Sequence, residues 1–437
     1  MVEQRKQTAA RSLPRSGKES EYTMNKTLEG IKVIELSTFI AVPACARFFA
    51  DLGADVIKIE AAGGDAVRWN GTSEGRSDSP YENTTFDLEN ANKRGIVLNL
   101  KTPEGKEVLF KLLAEADIFL TNWRPQALEK NGLTYEALHE KFPSLVYGTL
   151  TGFGDKGPDK DLPGYDFTAY WARAGFLDST RQKGEWPMNL LPGLGDHQAG
   201  MFLAAGVMAA LFNAKRTGVG ERVSTSLLHS SVWVQAIMLQ AAQYTELGQV
   251  YPISYRTADN PFNSAYRTAD GRFMQISMPP FDQYYPRFMP MIGRADLVGD
   301  PRYTMDSITK NKLHSEFIDI LTEAFMKKTA AEWDAILTEG DIPHAVAQSW
   351  DEVLRDPQVR AIDAFYDMPY PTGNTRTLVR QPVFVGSELP DYQMAPMLGE
   401  HSEEILRGLG YTEEQLSAMH ASGVYNTWDD LKAKHNG

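Results

Sequence analysis

The 437-residue chain has a single cysteine, Cys45, and no long uninterrupted apolar run. One thiol excludes an intrachain disulfide and any zinc site built on several thiolates, and it fits a reducing compartment, so a cytoplasmic location is expected. The longest apolar stretch, Met201 to Phe212 broken only by Gly206, covers 12 residues, well short of the about 20 needed to cross a bilayer. No membrane span is expected. Positive charge is also scarce: 44 Lys and Arg against 57 Asp and Glu leave a net charge of −13, which repels a polyanion and argues against nucleic acid as a partner. A small anion is still allowed, because it needs only a local cluster of cations. Residues 1–23 are polar and mildly basic, without the apolar segment of a secretory signal. They read as a disordered leader, and a start at Met24 is equally open.

From Leu28 onward, short β-branched runs alternate with helical patterns. Strands are expected at Ile31 to Leu36, Asp55 to Glu60, Ile96 to Leu100, Ile118 to Thr121 and Leu145 to Thr151. Between them, Pro43 to Leu52 has proline in a first turn and ends at Gly53, Thr102-Pro103 opens a helix with Val108, Leu109, Leu112 and Leu113 on one face, and Thr134 caps another. This alternation predicts an α/β fold with a parallel sheet covered on both faces. After Lys215 the pattern changes. A hairpin is expected from Tyr266 to Met278 about Asp270-Gly271, a capping box at Thr329 and Glu332, strand-like sequence near Val379 to Val385, and helices after Ser402 and Thr412. Two domains follow: a large one over 24–250, a smaller α+β one over 251–370, and a last segment, 371–437, that rejoins the first.

Signatures of serine hydrolases, Walker-type nucleotide sites, zinc proteases and EF-hands are missing. Gly152 to Gly157 matches G-x-G-x-x-G after a strand, yet Pro158 to Pro163 follows where a helix should open, so a tight Gly/Pro loop is weighed against a dinucleotide site. Gly193 to Gly200 delivers Asp196 to the start of a helix that is apolar nearly all round and so expected to be buried. Asp196 has two readings: an N-cap bonded to free backbone N–H groups, or a nucleophile that glycine neighbours leave open to substrate. His197 is taken as structural. Cys45, Phe48, Phe49 and Leu52 form a helical stripe, which places the thiol in the core. Two polar loops, around Asn92-Lys93-Arg94 and Asn122-Trp123-Arg124, lie beside strands and suit a nucleotide-like anion.

The segments Gly30 to Leu36, Ala50 to Glu60, Asn92 to Lys101, Thr151 to Pro158, Gly164 to Asp166, the Gly195-Asp196 turn and Gly399 to Leu406 are similar to the class III CoA-transferases, which include formyl-CoA and carnitine CoA-transferases. Tyr81 to Thr85, Asp87 to Asn92, Asp159 to Gly164 and Gly193 to Gly200 look most like the branch that moves CoA from an enoyl- or acyl-CoA such as cinnamoyl-CoA to a 2-hydroxy acid such as (R)-phenyllactate or 2-hydroxyisocaproate, in amino-acid fermentation. The resemblance implies a Rossmann-like CoA-binding large domain with a smaller α+β domain and an interlocked homodimer. It also implies a CoA thioester as substrate, no tightly bound cofactor, no metal, and a 2-hydroxyacyl-CoA dehydratase as a functional partner.

By the same resemblance Asp196 forms an aspartyl-CoA thioester. CoA is met by Asn92, Lys93, Arg94, Asn122, Trp123, Lys130 and Asn131, the cations pairing with phosphates and Trp123 bordering the adenine. Ile40 and Tyr165 border the acyl group. Oxalate-type members have glutamine at the place of Ile40, arginine near Ala61 and a run of glycines where this chain reads Thr257 to Phe262, so a larger, less polar acid is implied. Related α-methylacyl-CoA racemases have histidine at the place of Tyr165. Epimerisation of a CoA ester, transfer to a different acid, and a silent CoA-binding subunit remain the alternatives.

Overall fold

The computed structural model describes residues 27–77, 79–244, 251–386 and 389–435, so the leader read at 1–23 lies outside it. Six strands, β1 (Lys32–Leu36), β2 (Asp55–Glu60), β3 (Arg94–Leu98), β4 (Ile118–Thr121), β5 (Val146–Thr151) and β6 (Arg222–Ser226), pair in parallel. A three-stranded antiparallel sheet follows from β7 (Ala265–Arg267), β8 (Phe273–Ile276) and β9 (His344–Val346). Next comes the hairpin β10 (Phe365–Pro369) and β11 (Thr375–Val379). Finally β12 (Tyr425–Asn426) returns to pair antiparallel with β3. The large sheet has the order β12-β3-β2-β1-β4-β5-β6.

Helices cover both faces of that sheet, and its inner strands are buried on both sides. On one face Val33, Val56 and Ile118 pack with Val42, Cys45 and Phe49 of α1 (Ala41–Asp51) and with Leu203 and Val207 of the central helix Leu194–Thr217. On the other, Ile34, Ile57 and Phe119 pack with Leu109 and Leu112 and with Ile405, Leu416 and Tyr425 of the last segment. A separate core of Phe262, Phe288, Phe317 and Trp333 lies under the β7-β8-β9 sheet. The β10-β11 hairpin straddles residue 370, and its Tyr370 hydroxyl donates to Asp87 of α2 (Thr84–Asn90).

Local departures from the sequence reading have physical causes. The first long helix opens at Ala41, two residues before Pro43, whose missing N–H still falls in the first turn, where no intrahelical partner exists. β3 ends at Leu98, because Asn99 leaves the ladder and its side-chain oxygen accepts from the Lys101 N–H. Near Val379 the strand ends where it was expected to begin, and Pro382, which has no N–H, stands in the stretch that follows. The central helix is not buried all round: Phe202 and Phe212 on one of its faces are exposed, Phe212 at 74%. Gly152 to Gly157 forms bends followed by a turn from Pro158 and opens no helix, which removes the dinucleotide reading. Among the described residues no helix is long and apolar enough to cross a membrane.

Candidate active site

In the large sheet the chain leaves β1 in one direction to build β2 and β3 and returns on its other side to build β4 to β6. Open α/β sheets form a crevice at that switch point, outside the carboxyl ends of the strands. A cleft of about 730 Å³ lies there, lined by Thr38 to Ala41 after β1, Asn122 after β4, Leu150 to Gly152 at the end of β5, and Asp196. Asn122 clamps the two central strand ends together. Its Oδ1 accepts from the Thr38 N–H at 3.1 Å and its Nδ2 donates to the Thr38 carbonyl at 2.7 Å.

Asp196 sits in the first turn of the central helix, whose N-cap is Gly193 in the left-handed region with φ 79°. The N-cap reading of Asp196 is therefore overturned, and among the described residues no hydrogen bond reaches its carboxylate. Gly195 permits a close approach. A Cβ there would lie 2.2 Å from the Tyr170 ring and 2.4 Å from Asp166 Oδ1, and the Gly195 N–H donates to that oxygen at 3.2 Å. His197 follows in the same turn, and its Nε2 donates to Glu89 Oε1 of α2 at 2.7 Å. Glu89 is buried and His197 half-exposed on the cleft.

Three carboxylates thus surround one imidazole. Burial, then the negative charges of Asp166 and Glu89, push the Asp196 carboxyl up to about 7, against the opposing pull of His197. Burial pushes Asp166 up to about 6 despite the backbone N–H groups of Gly195 and Gly193. For His197 burial works against the charged form, and the hydrogen bond and charge of Glu89, with Asp196 and Asp166 behind it, more than offset that and raise its pKa. A carboxylate freed of hydrogen bonds, near neutrality in its titration and open to a cleft is equipped for nucleophilic attack.

The structure brings Asp196, Ile40, Tyr165 and Asn122 into this cleft. Tyr165 stacks edge-on against Phe39 with ring centroids 5.4 Å apart. Trp123 instead faces an adjoining hollow with Thr134 and Tyr135 that meets the main cleft at Thr151 and Lys160. Lys130 and Asn131 lie beyond both, on the helix Pro125–Asn131, where Asn131 Nδ2 donates to the Ala127 carbonyl.

Three sequence assignments are corrected. Lys93 is fully buried and spends its three N–H donors on Glu35, the Pro43 carbonyl and Asn90, so it has nothing left for a phosphate. Arg94 opens β3, pairs with Asp55 at the start of β2 and with Glu404, and does not line the cleft. Asn92 ties Asp51 to the backbone at Asp391 and Gln393. Arg124, from the second polar loop read in the sequence, also lines the cleft, and missed by the sequence reading were Glu89, Arg76 and Lys160. The signal for Glu89 is its position three residues after buried Phe86, a polar residue in the apolar phase of a short helix.

The comparisons with known proteins agree with one another. The profile of CoA-transferase family III matches residues 28–402. A cinnamoyl-CoA:phenyllactate CoA-transferase from Clostridium sporogenes is 53% identical over 391 residues, covering 89% of this chain and 95% of the relative. An (R)-2-hydroxy-4-methylpentanoate CoA-transferase from Clostridioides difficile is 42% identical, covering 91% of this chain and 99% of the relative. Among solved structures, a CAIB/BAIF family protein from Brucella suis superposes with a TM-score of 0.74 at 27% identity, covering 88% of this chain and 100% of the other.

Proposed function

The chain belongs to CoA-transferase family III, and from that membership we propose that it moves CoA from an acyl- or enoyl-CoA such as cinnamoyl-CoA to a 2-hydroxy acid such as (R)-phenyllactate, through a covalent aspartyl-CoA thioester on Asp196. The observation that carries the mechanism is the unbonded Asp196 carboxylate on the switch-point cleft. Asp196 Oδ attacks the thioester carbonyl, the C–S bond breaks, and CoA leaves as thiolate with a mixed anhydride left behind. The thiolate then attacks the Asp196 carbonyl carbon and releases the donor acid as carboxylate. The acceptor carboxylate repeats both steps in reverse order, so no step needs water.

CoA is the exchanged substrate, and no tightly bound cofactor or metal belongs to this reading. Its acyl end meets Ile40 and Tyr165, and its nucleotide end runs toward Asn122, Trp123, Lys130 and Asn131, with Arg124 and Lys160 as further cations on the way. Lys93 and Arg94 serve the scaffold instead. The domain division at 250 and 370 is part of the same proposal, supported by the separate core of Phe262, Phe288, Phe317 and Trp333, with the second boundary falling in the turn of the β10-β11 hairpin. An interlocked homodimer is part of the same proposal, supported by exposed apolar side chains at Phe212, Trp233 and Ile237. So are a cytoplasmic location and a 2-hydroxyacyl-CoA dehydratase as the consumer of the product, in amino-acid fermentation.

The test is chromatographic. The enzyme is incubated with cinnamoyl-CoA and (R)-phenyllactate beside an Asp196→Asn control, and both thioesters are followed. Phenyllactyl-CoA is expected only with Asp196 intact, while the variant still binds CoA esters. Equal transfer by the variant would sink the nucleophile, and transfer by neither would sink the choice of substrates.

A further inference from the structure

Nothing in the exchange itself requires a hydroxyl on the acceptor, since both halves of the cycle use only a carboxylate and a thioester. Selection of 2-hydroxy acids must come from a polar group beside the nucleophile. Several of the polar groups on the cleft are already engaged. Asn122 is committed at both ends to Thr38, Arg76 is paired with Glu74, and Asp166 accepts from the Gly195 amide through Oδ1 while its Oδ2 is sealed from solvent. Phe39, Ile40, Leu88 and Leu162 give the cleft apolar lining.

His197 differs. Its Nε2 is fixed by Glu89 at 2.7 Å, and its Nδ1 takes no hydrogen bond among the described residues. The ring stands against Gly193, where a Cβ would meet His197 Cε1 at 3.5 Å and Ile40 Cδ1 at 3.4 Å, so the turn that presents Asp196 also holds the imidazole, with Ile40 beside the same glycine. We propose that His197, oriented by Glu89, hydrogen-bonds the 2-hydroxyl of the acceptor acid through Nδ1 and selects 2-hydroxy acids over their unsubstituted analogues. A hydroxyl can both donate and accept, so either protonation state of the ring serves. Glu89 is the positioning residue: it turns the ring so that the free nitrogen faces substrate. A site built to bond a substrate hydroxyl rejects the analogue lacking it far more strongly than an apolar pocket can.

This inference rests on the 2-hydroxy acid reading above, and its test separates the two. Transfer from cinnamoyl-CoA is measured to (R)-phenyllactate and to 3-phenylpropionate, which lacks only the hydroxyl, with the parent enzyme and with His197→Phe, Glu89→Gln and His197→Gln. The readout is the ratio of kcat/KM for the two acceptors. The parent ratio is expected to favour phenyllactate, and His197→Phe to lower that ratio by about 10-fold or more. Glu89→Gln, which keeps an acceptor for Nε2, is expected to lower it less than His197→Phe. Cinnamate release in a single turnover, before any acceptor is added, shows that each variant is folded with its nucleophile competent. A ratio unchanged in His197→Phe, including an equal fall with both acceptors, overturns the role of His197. A parent enzyme that uses neither acid overturns the substrate reading, and this inference with it.

Discussion

Two groups of buried charge lie within a few residues of each other at the sheet, and they are built on opposite principles. Around Glu35 the charges are matched. Its carboxylate sits between Lys58 at 2.9 Å and Lys93 at 2.7 Å, Lys58 also reaches Asp65 at 3.2 Å, and all four side chains are sealed from solvent. The two lysines outweigh the cost of burial and hold the Glu35 carboxyl down to about 2. Asp65 carries the network to the cleft, where its carboxylate accepts from the Phe39 N–H and fixes that residue at φ 65°, a costly conformation for an aromatic side chain. Around Asp196 the charges are unmatched: three carboxylates share one half-exposed histidine. The satisfied network makes a rigid floor, and the unsatisfied one makes a reactive group on it. Buried charge does either job, depending on whether its partners are complete.

Breaking the matched network has the largest expected effect. Glu35→Gln leaves Lys58 and Lys93 buried beside a neutral amide and is expected to lower stability by on the order of 3–5 kcal/mol in a denaturant titration. In the parent, the contribution of Glu35 is present above its ordinary pKa of 4.5 and is lost as pH falls from there toward about 2. Removing charge from the unmatched cluster has the opposite sign. In the unfolded chain Asp196 gives up its proton near 3.8, whereas the folded chain holds it until about 7. Across that window the folded state binds the extra proton, so stability falls as pH rises, and the cost is complete above pH 7. Asp196→Asn carries no such cost and is expected to be more stable than the parent at pH 8 by on the order of 1–3 kcal/mol, a gain that shrinks toward pH 4.

A smaller effect appears in the pH profile of transfer. Since Asp196 must be ionised to attack, kcat/KM is expected to rise with pH to a midpoint near 7. Asp166→Asn removes one neighbouring charge and is expected to move that midpoint down by up to about one pH unit. A midpoint that stays in place would show that Asp166 does not set the field at the nucleophile. The smallest effect belongs to a charge pair in neither group. Lys32 and Glu115 meet at 2.6 Å with about half of each side chain in solvent, so Lys32→Met is expected to leave the unfolding midpoint within experimental scatter.

Much of the fold was legible because it rests on local rules. The Thr102, Thr134 and Thr412 caps, the Thr329 capping box and the hairpin about Asp270-Gly271 stand where sequence places them, and the strands at 55–60 and 118–121 match to the residue. The β10 strand was not legible, because Phe365 to Pro369 is short and ends in proline, and it exists only through pairing with β11. At the site, the Gly-rich turn around Asp196 pointed to a presented carboxylate. Lys93 and Arg94 were misread because a basic pair next to a strand looks the same whether its partners are scaffold carboxylates or a ligand.

The sequence by itself determined the alternation of strands and helices, the family, and Asp196 as the residue to watch, because periodicity, turn chemistry and motif order are all local along the chain. Only the tertiary structure decided what surrounds that residue. Glu89 lies 108 residues before His197, and Glu35 lies 58 before Lys93. Whether a buried charge ends up matched or exposed to substrate depends on which distant side chains the sheet order brings within hydrogen-bond reach, and no short stretch of sequence carries that information.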